Sequence, residues 1–484
     1  MSTIDGAFIK GKFAACSSDE TFPVINPSDG SALYDLPSCG RGEVDQAVQA
    51  ARDSYEAGQW CDQGASEKKK TLHRFADLVE DNAPTLDLLD AEEMGKPLSL
   101  DICTGRQAAD FLRFYAESVD KVYGKLFPGD SKSLAYEQLV PRGVVGAIIP
   151  WNVPTFSTLV KMAPALAAGN SIVLKPSEHC SRSAFMISRL ALEAGLPEGV
   201  VSCVPGLGSS VGAALAMHGD VDMISFTGSS AVGKQVQELA GRSNMKVVLA
   251  ECGGKSPHLV FNDCPSLAFV ADGIVKLIAS NQGQLCVAGS RLLVHKDVEQ
   301  ELLQMIVERF EALKVGAASD RDTTFGPLVS LEQRDKVLAY VDAGLQDGCE
   351  LVYGGKALLE ETGGSFCSPT VFTAVPPKAR IFQEEIFGPV LAVSTFESVE
   401  EAIALANGTE FGLGAYAWSS SLAVIHRLIT GVKTGIVINT SDRVGEGAGL
   451  AASYEGYKYS GIGAEGGLPG MKSYLRRKLV VVNH

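Results

Sequence analysis

Cys286 closes the run Asn281-Gln282-Gly283-Gln284-Leu285-Cys286, a polar turn with a glycine inside it. A free thiol has a pKa near ~8.5, so a nucleophilic role needs hydrogen-bond donors or positive potential that favour the thiolate. The competing reading, open to any one of eleven cysteines, is a small buried filler. Glu251 lies in Ala250-Glu251-Cys252-Gly253-Gly254-Lys255, between apolar and glycine residues. A carboxyl group in such surroundings has a raised pKa and suits general-base work. Lys175-Pro176-Ser177-Glu178 sets a cation and a carboxylate three residues apart. That carboxylate would accept from ribose hydroxyls and repel a 2′-phosphate, or else the two charges form a solvated loop pair. Phe226-Thr227-Gly228-Ser229 turns from an apolar run into a helix whose first N–H groups can hold a pyrophosphate, although most such junctions are simple caps. Gly206, Gly208 and Gly212 have the spacing G-x-G-x-x-x-G, one residue longer than the dinucleotide fingerprint, and read as a glycine-rich turn.

These residues need a frame, and the chain supplies a regular one. Between Gly143 and Leu249, apolar runs at Val144–Ile149, Ile172–Leu174, Val200–Val204, Met223–Phe226 and Val247–Leu249 alternate with helical patterns at Thr155–Ala168, Arg182–Ala194, Ser209–His218 and Ser230–Arg242. This rhythm predicts right-handed crossovers and a parallel, doubly wound sheet whose ligands sit at the carboxyl ends of the strands. A second α/β segment follows, with helices near Ser266–Ser280, Val298–Leu313 and Leu331–Gln346 and strands near Leu292–His295, Val390–Ser394 and Ile436–Ile438. The N-terminal third reads as mostly helical from the spacing of Val44, Val48, Ala51 and Tyr55. Lys132–Pro141 and Tyr474–Val482 fit neither α/β segment and read as exposed strands in need of a partner edge.

Composition narrows the partners. At 484 residues with 46% hydrophobic and 20% charged, the chain is a folded protein of about three domains by length. A net charge of −15 without any basic block argues against nucleic acid. The chain has no leader-like start and no apolar run of membrane-spanning length, which predicts no membrane association and a cytoplasmic location. Eleven cysteines without framework spacing predict free thiols in a reducing compartment, and seven histidines without a zinc-type motif predict no metal site.

Taken together, the chain resembles the NAD(P)-dependent aldehyde dehydrogenase superfamily along nearly its whole length. The resemblance rests on seven motifs in the family's order: Pro150-Trp151-Asn152-Val153-Pro154, Lys175-Pro176-Ser177-Glu178, Phe226-Thr227-Gly228-Ser229, Glu251-Cys252-Gly253-Gly254-Lys255-Ser256-Pro257, Gly283-Gln284-Leu285-Cys286, Glu384-Glu385-Ile386-Phe387-Gly388-Pro389 and Gly456-Tyr457-Lys458-Tyr459-Ser460-Gly461. It implies an α/β fold: a Rossmann-like parallel-sheet cofactor domain at 1–122 and 142–252, an α/β catalytic domain at 253–460, and a small β oligomerisation flap with the C-terminal segment at 123–141 and 461–484. By motif, Cys286 is the implied nucleophile, Glu251 the base, and Asn152 with the Cys286 N–H the oxyanion donors. Lys175 and Glu178 would hold the adenosine ribose, Gly228 and Ser229 the pyrophosphate, and Glu385 with Phe387 the nicotinamide half; Ile149 and Trp151 also map to the cofactor. Val153, Val160, Leu285, Val287 and Tyr454 map to a largely apolar substrate tunnel. Lys161 and Glu465 match positions that form a proton path in some members, although as bare residues they read as surface charges.

The chain also departs from the family. Ala464 stands where arginine is common, and Ser453-Tyr454-Glu455 where Pro-Phe-Gly is usual. The segment Asn439–Tyr457 is longer than typical and carries Asp442, Arg443 and Glu446, with Arg443 a candidate partner for an acidic aldehyde. The resulting expectation is NAD-dependent oxidation of an aldehyde to its acid through a cysteine thiohemiacetal and thioester, with NADP disfavoured by Glu178, in a homodimer or homotetramer. The alternatives are an acylating, coenzyme A-dependent semialdehyde dehydrogenase, against which Glu251 argues, and a non-catalytic binding relative. Tryptophans occur only at 60, 151 and 418 and none maps to the tunnel wall, which disfavours a quaternary ammonium substrate.

Overall fold

The β-branched runs of the first α/β segment form the centre of an eight-stranded sheet in the computed structural model, which describes residues 4–439 and 449–483. Its order is Lys12–Ala14, Ala7–Ile9, Val201–Cys203, Ser171–Lys175, Val144–Ile148, Met223–Thr227, Val247–Glu251, Gly461–Ile462. The five central strands are parallel, and the flanking strands at Ala7 and Gly461 run antiparallel to their neighbours. Successive strands step one way from Val144–Ile148 and then the other, so the topological switch lies between that strand and Met223–Thr227. In doubly wound sheets the ligand crevice opens there, at the carboxyl ends of the strands.

A second, seven-stranded sheet runs Glu350–Tyr353, Thr370–Thr373, Val390–Phe396, Arg291–His295, Pro257–Val260, Gly414–Trp418, Ile436–Asn439. All neighbours are parallel except Glu350–Tyr353. Fully buried strands such as Val144–Ile148 and Ser171–Lys175 read as continuous apolar runs because helices cover both faces. The helices Arg182–Glu193, Ser230–Ser243, Leu267–Ala279 and Leu331–Gln346 fall where the periodicity places them.

Three expectations need correction. The N-terminal third opens with strands at Ala7–Ile9, Lys12–Ala14, Thr21–Ile25 and Ala32–Pro37 before helices take over at Arg41–Glu56, Ala65–Asp81, Ala83–Met94 and Gly105–Ser118. Those strands are short and, apart from the buried Ala7–Ile9, partly exposed, so they carry little of the apolar signal that marks the helices. The segment after Gly206 opens as a π-helical turn, Gly208–Gly212, before the short helix Ala213–Met217. Gly206 has φ +142° and a Cβ there would lie 2.8 Å from the Cys39 carbonyl oxygen, so that glycine serves the backbone.

Not all cysteines are free: Cys16 and Cys39 form a disulfide with Cα atoms 5.1 Å apart. Glu43 draws the two segments together, accepting from the backbone N–H of Ser17 at 2.7 Å and of Gly40 at 2.8 Å. The two orphan segments, Ser133–Pro141 and Leu475–Asn483, meet in one small sheet. They pair with each other, antiparallel, from Leu475 opposite Pro141 to Asn483 opposite Ser133. Leu475–Asn483 is then the edge of a three-stranded sheet, with Leu479 68% and Val481 53% exposed. Asp442, Arg443 and Glu446 lie outside the described residues.

Candidate active site

Cys286 is delivered by a loop in an unusual backbone state. Asn281, Gln282 and Gly283 have φ of +48°, +55° and +71°, three left-handed residues in succession. Such positions cost on the order of 1 kcal/mol or more each for residues with a Cβ and persist only where the surroundings hold them. Here the surroundings do. The Asn281 side-chain amide donates to the Asn152 carbonyl at 2.8 Å, Gln284 N–H donates to Asn281 O at 3.0 Å, and Gln284 Oε1 accepts from Val329 N–H at 2.9 Å. Gly283 abuts the Gly388 carbonyl, where an added Cβ would come within 2.4 Å.

This loop faces a cavity of ≈ 210 Å³ at the switch point of the first sheet. Of the residues expected from sequence, the structure brings Trp151, Asn152, Gly228, Ser229, Cys286, Glu385 and Phe387 to its wall. Trp151 and Phe387 meet edge to face with ring centroids 5.2 Å apart. Phe387 itself has φ +56°, held by Gln333 Nε2, which donates to the Ile386 and Phe387 carbonyls at 3.2 and 2.9 Å. Glu385 Oε1 accepts from Gly254 N–H at 3.0 Å, and a Cβ on Gly253 would lie 2.0 Å from Glu385 Oε2. Ser229 caps the helix Ser230–Ser243 by accepting from Val232 N–H, whereas the Gly228 N–H is already given to Glu251 O at 3.1 Å. The anion-holding capacity therefore rests on the first turn of that helix rather than on Gly228.

Other expected residues lie beyond this wall. Ile149 is buried and its N–H donates to Lys175 O at 2.9 Å. Lys175 Nζ pairs with Glu178 Oε2 at 2.9 Å, and Glu178 borders a separate cavity of ≈ 560 Å³ with Val329, Ser330 and Glu332. Val153 and Leu285 belong to one apolar cluster, with Val287 packed against it; Val160 belongs to another. Phe156 packs against both and joins them. Sequence reasoning missed Ile102, Cys103 and Phe156 in this apolar region, and Gln284 and Gln333, which fix the backbone of the two loops. Only Gln284 had a signal, its place in the cysteine motif.

Burial governs the electrostatics. It pushes the Cys286 thiol up to about 12, with further push from the carboxylates of Glu385 and Glu251. It also raises Glu251 to about 9, helped by the neighbouring Glu465 and opposed by Lys161. Glu251 Oε1 is buried with no hydrogen-bond partner among the described residues. Lys161 and Glu465 are not surface charges: Lys161 is fully buried, on the helix Pro154–Ala167, and its ammonium bonds Glu465 Oε1. Tyr454 donates to the other oxygen of Glu465 at 3.4 Å.

The chain is similar to known proteins along nearly its whole length. A sequence model of the Aldehyde dehydrogenase family matches residues 13–480. The NADP/NAD-dependent aldehyde dehydrogenase PuuC of Escherichia coli is 40% identical over 479 residues, covering 98% of this chain and 95% of that one. The crystal structure of the aldehyde dehydrogenase KauB from Pseudomonas aeruginosa superimposes with TM-score 0.96 at 42% identity, covering 99% of this chain and 96% of that one. The indole-3-acetaldehyde dehydrogenase AldA of P. syringae, a mutant in complex with NAD+ and IAA, gives TM-score 0.96 at 42% identity, covering 99% and 97%. With the family's sequence pattern spanning the chain and its architecture matched from end to end, this protein belongs to the aldehyde dehydrogenase family.

Proposed function

We propose that this protein oxidises an aldehyde to its carboxylic acid with NAD, using Cys286 as nucleophile. The observation that carries the reading is the convergence of Cys286, Asn152 and Glu385 on one cavity at the switch point of the first sheet. The cavity fits the cofactor: glycine at 253 leaves room for the Glu385 carboxylate, a helix N-terminus lies at Ser229, and Trp151 and Phe387 offer ring surfaces. NAD, when bound, supplies the hydride acceptor and a positive ring that favours the thiolate. The Cys286 sulfur adds to the aldehyde carbon, and the oxyanion so formed accepts from Asn152 Nδ2 and the Cys286 N–H. Loss of hydride from the former aldehyde carbon, for which bound NAD would be the acceptor, would turn this adduct into a thioester, and a water whose proton the ionised form of Glu251 takes would hydrolyse it, the C–S electron pair returning to Cys286.

The division of labour follows the two sheets, with residues 1–122 and 142–252 holding the cofactor and 253–460 presenting the cysteine. By the family resemblance Val153, Val160, Leu285 and Val287 would border the substrate, and their apolar character favours an aldehyde with an apolar body. The exposed edge of Leu475–Asn483 supports association into a dimer or tetramer, with 123–141 and 461–484 as the flap. No helix among the described residues is long and apolar enough to cross a membrane. The test is NADH formation from NAD across aliphatic, aromatic and carboxylated aldehydes, compared by kcat/KM. The reading requires activity that Cys286→Ala abolishes, and absence of NADH with every class would reject it.

A further inference from the structure

The backbone that follows Cys286 rests on two stacked rings. His258 and Tyr416 are register partners on the neighbouring parallel strands Pro257–Val260 and Gly414–Trp418, and their ring centroids lie 4.9 Å apart with 25° between the planes. Both are buried, as is Trp418, whose indole N–H donates to His258 Nδ1 at 3.2 Å. Burial pushes the imidazole down to about 3, so the ring is neutral, Nδ1 accepts and Nε2 carries the hydrogen. That Nε2 faces Gly289, where an added Cβ would lie 2.0 Å from it, so only glycine lets the backbone pass this close to the ring. Beside it the Tyr416 hydroxyl donates to the Val287 carbonyl at 2.9 Å. The stretch from Val287 to Gly289 is thus seated on the ring pair at both of its ends.

Cys286 and Val287 are the inner residues of a turn closed by the Ala288 N–H, which donates to Leu285 O at 3.0 Å. Before the cysteine, Asn152 Nδ2 holds the Gln284 carbonyl at 2.9 Å; after it, Tyr416 holds the Val287 carbonyl. Gly254 covers the Cys286 carbonyl, where an added Cβ would come within 2.3 Å. Every carbonyl from Gln284 to Val287 is therefore held or covered, and none of these bonds uses the Cys286 N–H. A backbone N–H stabilises an oxyanion fully only when its direction is fixed before the charge develops, since a donor that must reorient loses part of the effect. On the reading given above for Cys286, we propose that Tyr416 is a positioning residue for the backbone half of the oxyanion site. Its hydroxyl, through the Val287 carbonyl, locks the turn that aims the Cys286 N–H, while Asn152 supplies the side-chain half. No proton passes through Tyr416: its O–H stays on Val287 O while the thiolate adds to the aldehyde carbon and the C=O electron pair moves to oxygen.

The test is Tyr416→Phe in the full chain, which keeps the ring on His258 and removes only the hydroxyl. Two rates are read at Cys286. The NADH burst with a saturating aldehyde passes through the oxyanion, whereas alkylation by iodoacetamide displaces iodide at a saturated carbon and forms none. Burst amplitude, one NADH per site, counts the folded sites in both proteins. The expected result is a burst slowed about tenfold, with the alkylation rate and the KM for NAD unchanged. A burst at the original rate would overturn the proposal. An alkylation rate changed as much as the burst, in either direction, would overturn it too, because Tyr416 would then support the loop as a whole rather than the N–H. Absence of any NADH from the unsubstituted enzyme would overturn the reading of Cys286 itself, an outcome that does not involve Tyr416.

Discussion

The side-chain amide of Asn152 donates to the Gln284 carbonyl at 2.9 Å, two residues before Cys286. Asn281 returns the tie by donating to the Asn152 carbonyl, so the asparagine and the cysteine loop are fixed to each other. An amide nitrogen carries two hydrogens, and the second remains for an oxyanion. Asn152→Ala should lower kcat by roughly 100- to 1,000-fold while Cys286 still reacts with iodoacetamide. Steady-state NADH formation beside peptide mass spectrometry checks both, and an unchanged kcat would remove Asn152 from the oxyanion site.

Reactivity of the thiol should follow pH in a definite direction. With Cys286 pushed up to about 12 and Glu251 to about 9, both are protonated at neutral pH in the protein alone. Alkylation of Cys286 should therefore climb about tenfold per pH unit between about pH 7 and 9, with no plateau. Adding NAD should accelerate it at pH 7. A plateau below pH 8 without NAD would show that the thiolate already forms in the unliganded site.

Cofactor choice should depend on Glu178. Its carboxylate pairs with Lys175 at the end of a central strand, where it would accept from ribose hydroxyls and repel a 2′-phosphate. NAD should give the higher kcat/KM, and Glu178→Gln should cut the NAD-over-NADP ratio by roughly tenfold. A ratio that does not move would place the ribose elsewhere.

The parallel sheet was legible from five apolar runs, and Cys286, Glu251, Glu178 and the Gly228–Ser229 turn from residue types and local pattern. Asn152, Trp151, Glu385 and Phe387 on the cavity wall came only from the resemblance to the family. What the chain concealed depends on distant approach. Lys161 and Glu465 are 304 positions apart and read as surface charges until the helix Pro154–Ala167 and the strand Ala464–Glu465 meet. Cys16 and Cys39 become partners because one carboxylate, Glu43, gathers two loops. Ile102, Cys103 and Phe156 join the apolar region through helix packing, which leaves no spacing in the sequence. The strands at 133–141 and 475–483 were legible as strands and as one flap, and the structure adds their antiparallel register.

The remaining edge should hold subunits together. Leu475–Asn483 pairs on one side only and exposes Leu479 and Val481. Sedimentation at micromolar concentration should give a dimer or tetramer, and replacing both Leu479 and Val481 by lysine should shift it toward monomer. A wild-type monomer would contradict this.

The central claim is that Cys286 forms a thioester that Glu251 helps to hydrolyse, and stopped-flow measurement of NADH in the Glu251→Gln variant tests it most directly. The substitution keeps size and polarity while removing the base. The account predicts one equivalent of NADH per site followed by a very slow steady phase, with no NADH at all from Cys286→Ala. Normal steady turnover in Glu251→Gln, or any turnover in Cys286→Ala, would contradict it.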